Sequence, residues 1–400
     1  MNIRQNKGSA RDVRIAVTGG GTGGHVSPAL ATIQAIRDMA QGQDWNPVFL
    51  YVGSANGIEH RLADEAGLPF CSVATGKMRR AGGGRAALSL KNLADAGRVP
   101  LGLAQSVAAL KKFRPAVLLA TGGYVSVPPT LAAALLRVPI LIHEQTVQVG
   151  LANRIAARVA TRIALSFAGA VQDLPPSARA KAFETGNPVR EIVFTGDKAR
   201  AVQRFGFTTQ DDKLPCVYVT GGAQGARAIN SALQGILPDV LTRCRVLHQC
   251  GPAQAAHFAA VAQGLPPEHR ARYWTTGFVG DEIGDVFALA DIVVGRSGAG
   301  TVTEAAALGK PAIFVPLVPT GGDEQTRNAR RMAEAGAAIL LPGTELTPER
   351  LEGEIYALLD DPVRRTRMAD AARGLARPHA ARDLARATLT LAGVDIARSV

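Results

Sequence analysis

Two glycine-rich loops hold the residues of this chain whose types and spacing best suit an anionic ligand. The first, Thr18–His25, has five glycines and follows the apolar run Val13–Val17. The second, Thr220–Arg227, has three glycines and follows Val217–Val219. A strand that leads through glycines into a helix presents free backbone N–H groups and the positive end of the helix dipole. The two loops therefore predict two similar halves, each able to bind a phosphate-bearing ligand.

The first loop also matches G-x-G-x-x-G, which raises the alternative of a dinucleotide cofactor. Such a site needs an acidic residue about 20 positions further on, at the end of the second strand. Here the apolar run Val48–Val52 ends in Gly53 and Ser54. The nearby acidic residue considered for this role, Asp44, precedes the run and does not lie at its end. Neither loop continues into Gly-Lys-Ser/Thr, so a P-loop is excluded. A purely structural role as a tight turn is the other alternative for each loop.

Four polar side chains in or beside predicted loops are of types that can bind or activate hydroxyl groups. His25 follows the first glycines, where an imidazole serves as a general base on a hydroxyl or simply caps the loop. Glu304 lies on a helix predicted after the strand Asp291–Gly295, and its carboxylate can accept two hydrogen bonds from a vicinal diol such as ribose; the alternative is an ordinary surface glutamate. Gln325 and Asn328 carry amides that donate and accept at once, as adjacent sugar hydroxyls require.

The elements that position these residues alternate between short apolar runs and amphipathic helical segments. This alternation predicts an α/β fold of parallel sheets with helices on both faces. At 400 residues we expect two domains. Their predicted ranges are 1–190, 191–376 and a terminal helix at 377–400 that packs back on the first domain, with a linker near 186–213. The remaining predicted strands are Val117–Ala120, Ile140–His143, Ile163–Leu165, Ala312–Val315 and runs near Val246 and Ile292.

The net charge of +12 is distributed unevenly along the chain. Residues 1–190 hold 22 Lys and Arg against 10 Asp and Glu, whereas the rest holds 23 of each class. A basic first half indicates an anionic surface as partner, such as a membrane, or a phosphate-bearing acceptor. The stretch Lys77–Leu93 mixes cations with leucines and is the predicted membrane contact, with a solvated loop as the alternative. Aromatic residues make up 5% of the chain and no reading motif occurs, so nucleic acid is not expected.

No run of apolar residues reaches the roughly 20 that a transmembrane helix needs, and no secretion signal is recognised near Met1. The four cysteines show no C-x-x-C pair or metal spacing, which favours a reduced, cytoplasmic protein. The absence of an Asp-x-Asp motif disfavours a metal-dependent sugar-nucleotide site. We therefore expect no metal and no cofactor.

Taken together, these motifs resemble the MurG-type UDP-N-acetylglucosamine (UDP-GlcNAc) transferases of peptidoglycan synthesis, which are GT-B glycosyltransferases. The resemblance spans nearly the whole chain. It rests on the first glycine loop with His25 and on Glu304, Gln325 and Asn328. It also rests on the motifs Gly122–Pro128, His143–Gln145, Gly150–Asn153, Gly186–Arg190 and Arg296–Ala299.

The resemblance implies two Rossmann-like domains facing a cleft and an inverting transfer of GlcNAc from UDP-GlcNAc to the C4 hydroxyl of undecaprenyl-pyrophosphoryl-MurNAc-pentapeptide. It implies a peripheral protein on the cytoplasmic face of the cell membrane, with roles in cell-wall biogenesis, cell shape and cell division and with other cell-wall synthesis proteins as partners. His25 is the implied base, with Glu144 as the other carboxyl worth testing. The implied substrate-binding residues are Thr22, Gly23, Gly24, Asn153, Arg190, Ala223, Gln224, Val279, Ala299, Gly300, Thr301, Val302, Thr303, Glu304, Gln325 and Asn328.

Two positions depart from the family pattern. Ala223 stands where the second loop often has a serine that bonds a donor phosphate, and Thr146 stands where asparagine is usual after His143–Gln145. Backbone N–H groups can replace the lost serine, so activity is expected. The rival interpretations are a UDP-GlcNAc 2-epimerase or a lipid glycosyltransferase of the same architecture, and a scaffold that binds sugar nucleotide without turnover.

Overall fold

The structure, a computed structural model, describes residues 10–76, 90–207, 213–317 and 323–395. The chain divides into two compact units. One consists of the chain up to Pro188 together with the segment from Pro378 onward, and the other of Val189–Arg377. None of the helices within the described ranges combines the length and apolar character needed to cross a membrane.

The first unit is built around one parallel sheet. Its strands are β1 (Arg11–Thr18), β2 (Trp45–Gly53), β3 (Phe70–Ser72), β4 (Val117–Ala120), β5 (Ile140–Glu144), β6 (Arg162–Leu165) and β7 (Ala182–Glu184). They pair in the order β3-β2-β1-β4-β5-β6-β7, and each of these neighbouring pairs is parallel. Its helices are α1 (Gly23–Ala40), α2 (Ile58–Glu65), α3 (Leu90–Phe113), α4 (Val127–Leu135), α5 (Leu151–Ala156) and, near the end of the chain, α15 (Ala380–Leu391).

Apolar side chains on both faces of this sheet explain the helical layers. Ile15 and Val17 of β1 are buried against α1 and α15, while Ala16 faces the layer that contains α3 and α4. Leu384 and Leu389 of α15 are fully buried in the same cluster as α1. The last helix of the chain is therefore part of the core of the first unit.

The second unit repeats the arrangement. Its strands are β8 (Cys216–Thr220), β9 (Arg245–Gln249), β10 (Tyr273–Thr276), β11 (Ile292–Gly295), β12 (Ala312–Phe314) and β13 (Ala338–Leu340). They pair in parallel in the order β10-β9-β8-β11-β12-β13. Its helices are α6 (Lys198–Arg204), α7 (Arg227–Val240), α8 (Ala255–Gly264), α9 (Pro267–Arg270), α10 (Ile283–Leu289), α11 (Ala299–Ala307), α12 (Glu324–Glu334), α13 (Pro348–Leu359) and α14 (Pro362–Leu375).

Both sheets reverse their strand order beside their first strand, and this places the glycine loops. In the first unit the reversal lies between β1 and β4, and in the second between β8 and β11. Open α/β sheets bind ligands outside the carboxyl ends of the strands at this point. The loops after these four strands are Gly19–Thr22, Thr121–Gly123, Gly221–Ala226 and Arg296–Gly298. Each unit therefore brings two glycine-containing loops to its own switch point.

The predicted fold class of two Rossmann-like parallel-sheet domains is confirmed, as are the predicted strands. The predicted linker at 186–213 is not a plain connection. Within it, α6 is fastened to the buried Asp285 of α10, which accepts hydrogen bonds from Arg200 and from the Asp197 backbone N–H. Residues 208–212 of that segment lie outside the described residues, as do residues 77–89 of the predicted membrane contact.

Candidate active site

The first glycine loop ends in a hydrogen-bonded pair of side chains. Thr22 occupies the N-cap position of α1, but its hydroxyl does not cap the helix. Thr22 Oγ1 lies instead 2.9 Å from Nδ1 of His25, one turn further along. The His25 backbone N–H donates to the Thr22 carbonyl at 3.2 Å, which holds the two residues in register.

The loop after β4 packs directly against His25. A methyl group on Gly122 would lie 3.2 Å from His25 Cδ2, and one on Gly123 would lie 3.3 Å from Nδ1. The hydroxyl of Thr121 donates to the His25 carbonyl at 2.6 Å. Burial lowers the pKa of His25 to about 4, so the imidazole is neutral near pH 7 and keeps a lone pair on one ring nitrogen.

Glu144, at the end of β5, is buried and hydrogen-bonded at both carboxylate oxygens. Oε1 accepts from the N–H and the hydroxyl of Thr146, at 3.2 and 3.0 Å. Oε2 accepts from the N–H of Gly150 at 3.0 Å and from Nδ2 of Asn153 at 2.9 Å. Burial raises the pKa of Glu144, and these donors oppose that effect. The contacts assign Glu144 to holding the 144–153 loop; its proposed role as a base stays a prediction.

Asn153 connects this loop with the histidine. Its Nδ2 also donates to the His143 carbonyl at 3.1 Å. Its Oδ1 is buried without a hydrogen-bond partner among the described residues. Gly122 separates it from His25, since a methyl group there would lie 3.1 Å from Asn153 Nδ2. The first unit thus brings Thr22, His25, Glu144 and Asn153 to one place.

Sequence reasoning does not single out Glu59, although this residue lies beneath the first loop. It is fully buried on α2, just past the end of β2, and its Oε2 accepts the Gly21 N–H at 3.1 Å. The expectation that no acid follows the second strand is therefore wrong. The acid is present, but it contacts the loop backbone, because Gly53 and Gly57 leave room for it to turn inward. Gly53 and Gly57, on either side of the turn before Glu59, were the feature of the sequence that could have pointed to this buried acid.

In the second unit, the loop after β8 is held by a relay of polar groups. The Tyr218 hydroxyl donates to Gln249 Oε1 at 2.9 Å, and Gln249 Nε2 donates to the Gly222 carbonyl at 2.9 Å. Thr220 Oγ1 accepts the Gly222 N–H at 3.0 Å. Gly222 has a φ of +73°, which L-residues with side chains rarely adopt. Ala223 and Gln224 follow, and of these two Gln224 is exposed and Ala223 is half-buried.

Helix α11 carries the predicted ribose-binding residue. Gly298 is its N-cap, and Ala299–Thr303 form its first turns. Burial raises the pKa of Glu304 to about 7, and the positive charge of Arg190 acts in the opposite direction. No group within the described ranges donates a hydrogen bond to the Glu304 carboxylate. Glu304 is therefore a partly buried acid that a hydroxyl-bearing ligand would stabilise in its charged form.

The two predicted amides flank the N-terminus of α11. Asn328 Nδ2 donates to the Ser297 carbonyl at 3.1 Å, while the Asn328 Oδ1 is buried and lacks a partner in the described part of the chain. Gln325 Oε1 accepts the Leu317 N–H at 2.8 Å, which leaves the amide NH₂ of Gln325 for a ligand. The Ser297 hydroxyl donates to the Gln325 carbonyl and so joins the loop before α11 to the first turn of α12.

Arg190 and Val279 complete the predicted set in the second unit. Arg190 Nε is buried and has no hydrogen-bond partner among the described residues, yet the charge of Arg190 acts on both Glu304 and Tyr218. Val279, after β10, is buried in the core, so its backbone rather than its side chain is offered to a base. The second unit therefore combines a cation, helix N-termini, a carboxylate and amides, which are the groups that a nucleoside-diphosphate sugar requires.

Comparison with known proteins places the sequence in one group. It matches the glycosyltransferase family 28 N-terminal domain over residues 15–165 and the family 28 C-terminal domain over residues 216–385. It is 35% identical over 349 residues to the UDP-N-acetylglucosamine–N-acetylmuramyl-(pentapeptide) pyrophosphoryl-undecaprenol N-acetylglucosamine transferase of Lachnospira eligens, covering 87% of this chain and 91% of that relative.

Solved structures give the same picture at the level of the fold. Acinetobacter baumannii MurG matches with a TM-score of 0.68 and 27% identity, over 94% of this chain and 99% of that one. UDP-GlcNAc 2-epimerase from Neisseria meningitidis, bound to UDP-GlcNAc, matches with a TM-score of 0.64 over 95% of this chain and 100% of that one. The epimerase is only 12% identical, so it shares the fold alone.

Proposed function

The chain belongs to glycosyltransferase family 28, and on that premise we propose that it transfers GlcNAc from UDP-GlcNAc to the C4 hydroxyl of MurNAc in undecaprenyl-pyrophosphoryl-MurNAc-pentapeptide, converting lipid I to lipid II. The resemblance inferred from the sequence agrees with this membership. The observation that carries the proposal is Glu304, a partly buried carboxylate with a pKa near 7 on the helix that starts at the switch point of the second unit.

The second unit binds the donor in this proposal. The Glu304 carboxylate accepts hydrogen bonds from the ribose hydroxyls, and the backbone near Val279 meets the uracil. Arg190 and the N–H groups at Ala223 and Gln224 meet the diphosphate, while Ala299, Gln325 and Asn328 meet the sugar. As UDP leaves, its growing negative charge is stabilised by Arg190 and by the positive ends of α7 and α11.

The first unit prepares the acceptor. The acceptor hydroxyl must lose its proton as it attacks the anomeric carbon, and neutral His25 is the base that takes it. The N-terminus of α1, at Gly23 and Gly24, meets a phosphate of the lipid-linked diphosphate. Asn153, held by Glu144, contributes a further polar group beside His25.

We further propose that the protein acts at the cytoplasmic face of the cell membrane as a peripheral protein. The supporting observation is the excess of 12 basic charges in residues 1–190, which suits an anionic lipid surface. An enzyme that receives one lipid-linked intermediate and delivers another is expected to meet other proteins of cell-wall synthesis, and through them to serve cell shape and division.

The test is UDP release and lipid II formation with the lipid-linked acceptor, measured with and without magnesium. Transfer without added metal is expected, because Arg190 and helix N-termini serve the leaving group. No release under either condition refutes the proposal. Incubation with UDP-GlcNAc alone separates the epimerase alternative, which would give the 2-epimer without acceptor. Binding of UDP-GlcNAc without any turnover would leave the scaffold alternative.

A further inference from the structure

A buried carboxylate outside the predicted site lies under the first glycine loop. Glu59 is fully buried, and each of its oxygens accepts one backbone N–H. Oε2 accepts from Gly21 in the loop, and Oε1 accepts from Ser54 in the turn after β2, both at 3.1 Å. The side chain therefore joins the loop after β1 to the turn that leads into α2.

Glycines surround this carboxylate, and their lack of a side chain makes room for it. A methyl group on Gly20 would lie 2.5 Å from the Glu59 carboxyl carbon, and one on Gly57 would lie 2.0 Å from Oε1. A methyl group on Gly53 would lie 2.8 Å from Glu59 Cγ. Three separate backbone positions thus lack a side chain where Glu59 needs space.

The charge of Glu59 is balanced by N–H groups. No Lys, Arg or His within the described ranges forms an ion pair with it. Two N–H groups donate to the carboxylate, and Glu59 lies in the first turn of α2, where the helix dipole favours an anion. Removing such a buried acceptor leaves both N–H groups without a partner, which is costly.

A second contact anchors the same loop from the same side. The hydroxyl of the buried Tyr51 donates to the Gly19 carbonyl at 2.6 Å. Gly20 donates its N–H to the Gly122 carbonyl at 3.2 Å. The loop is therefore bound at Gly19, Gly20 and Gly21, immediately before the Thr22–His25 pair.

We propose that Glu59 is a positioning residue for glycosyl transfer: by holding the Gly21 N–H it fixes the end of the loop from which Thr22 and His25 project. This inference rests on the proposed function, because it assigns His25 to the acceptor hydroxyl. Gly21 has a φ of +82°, so the chain turns sharply here and the direction of Thr22 depends on that turn.

Two substitutions test the proposal, and each has a matched control. Glu59→Gln keeps the size of the side chain but replaces one of the two acceptor oxygens with an NH₂ donor. One of the two backbone N–H groups therefore loses its acceptor and faces another donor. Gly57→Ala keeps the carboxylate and displaces it, and the backbone at Gly57 suits alanine, with a φ of −85°. The controls are Asp291→Asn, which alters a carboxylate that accepts the Cys216 N–H in the second unit, and Gly169→Ala, where a methyl group meets nothing within 4 Å.

In both test variants kcat for transfer is expected to fall by at least about tenfold, since a misplacement of about 1 Å can cost 100-fold. KM for UDP-GlcNAc should stay within about twofold, because the second unit binds the donor. Hydrogen exchange should accelerate in a peptide spanning residues 18–26 and not in one spanning 220–227. The control variants should leave kcat unchanged.

Unchanged kcat in folded Glu59→Gln and Gly57→Ala proteins overturns the inference. So does a fall in kcat that Asp291→Asn reproduces, or one without faster exchange at residues 18–26. If wild-type protein transfers no GlcNAc, the proposed function fails. The exchange measurement then still decides whether Glu59 holds the loop.

Discussion

The side chains of Thr22 and His25 pair across the first turn of α1, with Thr22 Oγ1 2.9 Å from His25 Nδ1. A neutral imidazole has an N–H at one ring nitrogen and a lone pair at the other. The hydrogen bond made by one nitrogen determines which of the two carries the proton. If Nδ1 donates to the threonine hydroxyl, Nε2 keeps its lone pair. That tautomer is the one that can take a proton from an acceptor hydroxyl.

Replacing His25 by alanine is expected to lower kcat for transfer by about 100-fold or more, which is the usual contribution of a general base. Binding of UDP-GlcNAc should be unchanged, because His25 belongs to the first unit and the donor is assigned to the second. Steady-state kinetics and calorimetric titration with UDP-GlcNAc measure the two effects. His257→Ala is the control, since His257 contacts Gln234 on the surface of the second unit. Full transfer by the His25 variant would contradict the base assignment.

Thr22 should matter through its hydroxyl alone. Thr22→Ser keeps the hydrogen bond to Nδ1 and should retain most of the transfer rate. Thr22→Val has the same shape but no hydroxyl, so the tautomer and ring orientation of His25 are no longer held, and kcat should fall about tenfold or more. Steady-state transfer assays compare the two variants with wild type. Equal rates for serine and valine would show that the pair does not orient the base.

Much of the fold follows from the sequence, and the exceptions share a physical cause. The predicted strands are those whose residues are buried on both faces, such as Val117–Ala120. The unpredicted strands, β3, β7, β10 and β13, are the edges of the two sheets. They are three or four residues long and partly exposed, so they lack the continuous apolar run of a central strand.

The candidate site was predictable where a motif lies beside its own glycines, as with His25 and Glu304. Contacts between residues that are distant in the sequence could not be predicted in this way. Glu144 lies in a predicted motif, but its four hydrogen bonds within the 144–153 loop require the folded positions of Gly150 and Asn153. Glu59 lies in no motif, and its contact with Gly21 joins residues 38 positions apart.

Donor binding should depend on pH through Glu304. Burial raises its pKa to about 7, so the free protein is about half protonated there. A ribose diol bonds best to the charged carboxylate, so binding should lower that pKa, release a proton and weaken as pH falls from 8 to 6, by up to about tenfold. UDP-GlcNAc is the right probe, because its diphosphate has no ionisation near neutral pH. Calorimetry in buffers of different ionisation enthalpy counts the protons. Glu304→Gln should abolish the pH dependence; an equally steep dependence in that variant would refute the assignment.

The absence of side chains at Gly23 and Gly24 should be needed for binding of the acceptor and not for stability of the fold. A methyl group on Gly23 would meet nothing within 4 Å, and one on Gly24 would meet only Thr22 Oγ1, at 3.8 Å. Gly23→Ala is therefore expected to leave the melting temperature unchanged or slightly raised, yet to increase KM for the lipid-linked acceptor several-fold by blocking the helix N-terminus. Gly169→Ala is the matched control in the same unit and should change neither quantity. An unchanged acceptor KM in Gly23→Ala would exclude a ligand at this helix end.

Acid should destabilise the second unit through His248. This buried residue forms two hydrogen bonds, one between Nδ1 and the Tyr273 hydroxyl at 2.8 Å and one between Nε2 and Asn230 Oδ1 at 3.1 Å. Asn230 Nδ2 donates to the Cys250 carbonyl, so Asn230 Oδ1 accepts and Nε2 carries the proton. Nδ1 must then accept from Tyr273, which suits neutral imidazole and opposes a second proton.

Burial accordingly lowers the pKa of His248 to about 3. Since this value lies below the ordinary pKa of about 6.5, the unfolded chain binds the extra proton first as pH falls. The stabilisation from neutral His248 is complete above pH 6.5 and should decline by about 1.4 kcal/mol per pH unit below it. Urea unfolding followed by Trp274 fluorescence at pH 7, 6 and 5 measures the slope, with Trp45→Phe as background to isolate the second unit. His248→Gln should be less stable at pH 7 but flatter with pH, and a slope equal to that of the parent protein would exclude His248 as its source.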